Sequence, residues 1–142
     1  MWTWGSRHAL CFSCALVFCL SVAPIPAARA QGYPYEIARS NSLAFNAWRG
    51  IIPPEYRKQA WIASLDGTAG PLERLTLRQK IYYYGKVCIP HDCGGNFVTF
   101  LIAADGSDAS GLLASRTLGV GRRYFGAESG QARVLLERKM RQ

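Results

Sequence analysis

The chain has 142 residues, with seventeen Lys/Arg against nine Asp/Glu, giving a net charge of +8. That length fits one domain and excludes a large multi-domain enzyme. Three of the five cysteines (Cys11, Cys14, Cys19) and one of the two histidines (His8) fall in the first thirty residues.

Residues 1–30 read as a secretory signal peptide. Arg7 supplies the positive start, Ala9 to Ala23 is an unbroken apolar or small run, and Ala28-Arg29-Ala30 fits a small-x-small cleavage site. The apolar run is shorter than the roughly 20 residues a membrane span needs, so no span is expected. The expected domain is therefore 31–142, in a periplasmic, oxidising compartment. Its net charge is +6, and it keeps only Cys88, Cys93 and His91. This inventory excludes a site built on two histidines or on four thiolates.

Residues 31–40 carry Gly, Pro and Ser without a clear period and suggest a loose start. Ser42 to Arg49 predicts a short helix. Ser42 can cap it, the pairs Leu43/Ala47 and Ala44/Trp48 form an apolar stripe, and Gly50 stands at its end. Pro53-Pro54 blocks continuation, and Glu55 to Trp61 fits a second helical turn with Pro54 first. Asp66 to Pro71 is a turn cluster. From Leu72 to Leu77 the period changes to two. Ile81 to Val87 is rich in β-formers. Asn96 to Ala104 is the most apolar stretch and predicts a central strand covered on both faces. Gly111 to Arg116 returns the chain after the Asp105–Asp108 turn. In the tail from Ser129 to Met140, Ala132, Leu135, Leu136 and Met140 recur at helical spacing. The fold class is α+β: an antiparallel meander of about five strands with helices packed on its faces.

Cys88-Ile89-Pro90-His91-Asp92-Cys93 lies between the two best strands. In an oxidising compartment the two thiols form a disulfide, closing a ring of six residues. The entropic gain from so short a ring is only about 2 kcal/mol, against nearly 5 for a ring of about a hundred residues. Such a bond serves to hold a tip in shape. Pro90 restricts the chain before His91, and Gly94-Gly95 lets it turn back into the next strand. A preorganised tip binds well because little ordering entropy is lost. A tightened hairpin with an incidental polar tip fits the same residues. A metal site lacks donors once the thiols are oxidised. A nucleophilic cysteine lacks an orienting group, and a redox pair lacks the usual CxxC spacing.

CIPHDCG, Cys88 to Gly94, resembles the CKPHDCG loop of the inhibitor of vertebrate lysozyme (Ivy) family. The likeness extends to Leu43-Ala44-Phe45 and Gly50, to Trp61 after a proline-containing turn, to Asn96–Leu113, and to Arg123-Tyr124-Phe125-Gly126 ahead of a terminal helix. The resemblance implies a periplasmic inhibitor of c-type lysozyme, not an enzyme, with no cofactor and no metal. Its inhibitory loop would be Ile89, Pro90, His91 and Asp92, closed by Cys88–Cys93 and hinged at Gly94 and Gly95. The loop enters the glycosidase cleft, where His91 meets the catalytic carboxylates. Asp92 is better suited to brace His91 or to accept loop N–H bonds. Ile89 stands where the family motif has lysine, which removes a cation. An envelope protein of the same fold, acting on lytic transglycosylases or lacking inhibition, is the alternative. A homodimer is a further association open to the chain. Charge divides unevenly: residues 31–115 carry +1 and residues 116–142 carry +5. No aromatic interleaving in the basic tail suggests nucleic acid.

Overall fold

A computed structural model describes Met1, residues 32–127 and residues 129–142. The expected leader lies outside the described residues. After a 3-10 turn at Pro34–Glu36 come helices α1 (Ile37–Ser40), α2 (Ser42–Ile51) and α3 (Ala60–Ala63). Strands β1 (Thr68–Ala69), β2 (Glu73–Leu77), β3 (Lys80–Cys88), β4 (Asn96–Ala103), β5 (Ala109–Ser115) and β6 (Val120–Gly126) follow, and α4 (Gly130–Met140) ends the chain.

The strands form one antiparallel sheet in the order β1, β3, β4, β5, β6. β2 also pairs with β3, along Lys80–Tyr84, while β1 pairs with its far end at Val87 and Cys88. One edge of the sheet is thus a strand in two pieces, and the meander is five strands wide. The α+β expectation holds.

The apolar run of β4 has its physical reason here. Val98, Phe100 and Ile102 face one core, shared with Ala44 and Trp48 of α2. Leu101 and Ala103 face a second core, shared with Ala132, Leu135 and Leu136 of α4. A strand buried on both faces cannot alternate. Trp48 is fully buried, donates its indole N–H to Ile62 O at 2.8 Å, and tilts against Phe100 and Phe125. On the other face, Thr99 donates its hydroxyl to Leu136 O at 3.2 Å, tying α4 to the sheet.

Several boundaries differ from expectation. The cap of α2 is Asn41, whose side chain accepts from Ala44 N, and not Ser42. Asn41 also donates to Ala104 O at 2.7 Å, so the cap doubles as a tie to the end of β4. Gly50 lies inside α2, and Pro53 is what bars its continuation. Of the expected stripe, Ala44 and Trp48 are buried, but Leu43 is 63% exposed. Within residues 31–40, where the sequence suggests a loose start, Pro34–Ser40 is helical. The expected cluster of turns at Asp66–Pro71 contains β1, and Val120–Gly126 is a full edge strand. The helix expected from Ser129 is present, with Ser129 as its cap.

Several cations of the basic tail make structural contacts. Arg123 pairs with Glu55 at 2.7 Å and donates to the Tyr56 hydroxyl. Lys139 pairs with Glu73, and the Arg133 guanidinium lies over the Tyr124 ring. Among the described residues no helix is long and apolar enough to cross a membrane.

Candidate functional site

The β3–β4 connection, Ile89 to Gly95, projects from the sheet end where β1 begins. Its base is fixed on both strands. Cys88 pairs in register with Phe97, and Ile89 N donates to Asn96 O at 3.1 Å. Cys88 and Cys93 form the expected disulfide, with a Cα–Cα distance of 4.9 Å. Gly67 passes so close that a Cβ there would strike Cys88 O and the Val87 side chain. The loop therefore rests on packed chain.

At the tip, Asp92 N donates to Ile89 O at 3.0 Å, closing a four-residue turn. Pro90 takes the second position, and His91, with φ +66°, takes the third. A turn of this pattern calls for positive φ at the third position, where glycine or asparagine is usual. His91 thus holds a left-handed backbone that costs an L-residue on the order of 1–2 kcal/mol, and its side chain is exposed. Backbone of this kind persists where the surroundings over-determine it. Gly94 and Gly95, expected to give the loop its freedom to turn, lie in the return turn, but neither has a positive φ.

What over-determines the tip is a buried polar hub. Asn96 is fully buried at the start of β4. Its amide nitrogen donates to Asp92 Oδ2 at 2.6 Å. Its amide oxygen accepts from the Ser115 hydroxyl at 2.5 Å, from Thr117 N at 3.1 Å and from the Thr117 hydroxyl at 2.6 Å. Ser115 is itself buried and accepts from Leu118 N. The β5–β6 turn is thereby bound to the loop. From the same turn, Arg116 donates to Asp92 Oδ1 at 3.1 Å. The Asp92 carboxylate is thus turned back into the loop's own support.

Pro90 and His91 form the exposed tip, while Ile89 is half-buried and packs against the α2-side core. Ile89 anchors the loop more than it presents it. Behind the disulfide, a hollow is lined by Thr68, Lys86, Cys88, Cys93 and Lys139. Burial, then the Lys139 charge, pushes the Lys86 ammonium below its usual range. Lys86 nevertheless donates to Met140 O and lies 4.5 Å from the Phe97 ring centre.

The ring, the proline and the histidine are legible in the sequence. Asn96, Ser115, Arg116 and Thr117 are not. The one local signal was an asparagine opening an otherwise apolar strand.

Fold and loop define a class: a small α+β domain that presents a disulfide-closed, histidine-tipped loop at one end of an antiparallel sheet. The profile of the family described as inhibitor of vertebrate lysozyme (Ivy) matches residues 46–120, more than half of the chain and the whole of this loop. The chain belongs to that family. It is 31% identical over 68 residues to a Pseudomonas aeruginosa protein named inhibitor of vertebrate lysozyme, covering 48% of this chain and 44% of that one. It is 32% identical over 65 residues to an uncharacterized Yersinia pestis protein, covering 46% and 42%. A second, uncharacterized P. aeruginosa protein is 32% identical over 66 residues, covering 46% and 43%. The chain thus spans less than half the length of each of these relatives.

Proposed function

We propose that this protein is a periplasmic inhibitor of c-type lysozyme that acts by inserting the Cys88–Cys93 loop into the glycosidase cleft. The observation that carries the reading is His91: an exposed imidazole on a left-handed backbone, at the tip of a closed and hydrogen-bonded loop, in a chain of this family.

The chemistry follows from the target. Such glycosidases hold two carboxyl groups a few ångströms apart, one protonated and one ionised. An imidazole can donate to the ionised carboxylate and accept from the acid. His91 then acts as a plug whose two ring nitrogens match the catalytic pair. Pro90 fills space beside it, and Asp92, bonded to Asn96 and Arg116, anchors the loop next to it. Because the loop is ordered before it meets the enzyme, little freedom is lost on binding. Inhibition of this kind needs no catalytic set and no cofactor. Export through residues 1–30 supplies the compartment in which the disulfide forms.

The test is direct. Mature protein is added to c-type lysozyme and cell-wall lysis is followed by turbidity. Slowed lysis at micromolar protein or below is expected, and unchanged lysis at that concentration defeats the reading. A lytic transglycosylase, assayed in parallel, reports whether the target is instead an endogenous enzyme cleaving the same glycan.

A further inference from the structure

We propose that Arg116 sets the charge of the inhibitory face by neutralising Asp92, so that the His91 tip can approach a pair of carboxylates. This rests on the lysozyme-directed reading above and adds a residue from a different loop to it.

The difficulty it resolves lies in the loop itself. Asp92 is next to the plug residue, and 41% of its side-chain surface is exposed. Carried into an acidic cleft, it is a further carboxylate beside two others, and like charges brought together across an interface oppose binding. No cation of the loop offsets it, since Ile89 is apolar and anchored to the core. The offset comes from across the sheet end. Arg116 is the first residue after β5, and its guanidinium reaches Asp92 Oδ1 at 3.1 Å.

Arg116 is held there by two features. Its backbone N–H donates to Gly95 O at 2.9 Å, locking the two turns together. Gly95 has no side chain, and the Arg116 guanidinium occupies the space a Cβ would take. Gly95 therefore serves as a seat for Arg116. Only Nη2 is engaged with Asp92, and 76% of the Arg116 side chain is exposed, so the cation stays open to solvent next to the residue that follows His91. As a mere surface ion pair it would matter little to stability. Its value lies in the sign of the face that meets the partner.

The experiment measures inhibition constants against c-type lysozyme for the wild type, Arg116→Ala, Arg116→Lys and the double variant Arg116→Ala/Asp92→Asn. Arg116→Ala is expected to weaken inhibition about tenfold with little change in Tm. Arg116→Lys keeps the charge and recovers most of that loss. The double variant removes the unmasked carboxylate while keeping an acceptor for Asn96, and recovers inhibition relative to Arg116→Ala. A purely structural role for Arg116 predicts no recovery in the double variant. Arg116→Ala within twofold of wild type, or a double variant no better than Arg116→Ala, overturns the proposal and leaves the lysozyme reading intact. A wild type that does not inhibit removes both.

Discussion

The Asn96 side-chain amide donates to Asp92 Oδ2 at 2.6 Å from a fully buried position. One interior residue of the sheet therefore fixes the residue following the exposed histidine. Asn96→Ala removes that donor and also leaves the Ser115 and Thr117 hydroxyls facing an empty acceptor position. Orphaning buried polar groups costs about 1–3 kcal/mol, and a small void adds to it. The expected loss is about 2–3 kcal/mol by chemical denaturation. Faster amide exchange should appear at Asp92 and Thr117. A loss under about 0.5 kcal/mol, with exchange unchanged, would show that the hub does not hold the loop.

His91 separates stability from function. Glycine populates positive φ freely, whereas histidine is strained there at φ +66°. His91→Gly should leave Tm unchanged or raise stability by up to about 1 kcal/mol. The same change deletes the imidazole and should abolish inhibition of lysozyme. A variant that is clearly destabilised would assign the imidazole a structural role instead.

The disulfide makes a similar prediction through a different mechanism. Because its ring holds only six residues, replacing Cys88 and Cys93 with serine should cost no more than about 2 kcal/mol. The two-faced core remains, so the domain should still unfold cooperatively. Inhibition should fall further than that stability change accounts for, since the tip must now be ordered on binding. Thermal unfolding and inhibition of the double-serine variant, set against the wild type, check this. Collapse of the fold would place the bond in the core's service rather than the loop's.

Those contrasts also mark what the sequence could disclose. The ring, its proline and its histidine were legible because they are contiguous and their chemistry is local. The central strand was legible because burial on both faces leaves an unbroken apolar run. The hub was not. Asn96 and Ser115 are nineteen residues apart and meet only because β4 and β5 pair in one register, with Asn96 opposite Ser115. Arg116 reaches Asp92 for the same reason. The edge strand β6 was hard to read because Gly121, Arg122 and Arg123 are exposed in succession, which hides the period of two. Asn41 and Ser42 are both good capping residues, and the contact of Asn41 with Ala104 favours the former.

The α4-side core should make the fold sensitive to alkali through Tyr84. Its hydroxyl is buried and donates to Leu135 O at 2.5 Å. Burial raises its ionisation above the ordinary value of 10.0, more than the nearby Arg138 lowers it. In the unfolded chain the phenol loses its proton near 10, while in the fold it keeps it to higher pH. Between those two values the folded state binds more protons, so stability falls as pH rises. Tyr84→Phe loses the hydrogen bond and leaves Leu135 O without it, at a cost of about 1 kcal/mol at neutral pH. It also removes the titration. The stability gap between wild type and Tyr84→Phe should therefore be constant from pH 6 to about pH 9 and shrink above about pH 10. Urea unfolding of both proteins across that range measures it, and a gap that stays constant or widens above pH 10 would show that Tyr84 ionises as freely in the fold as in the open chain.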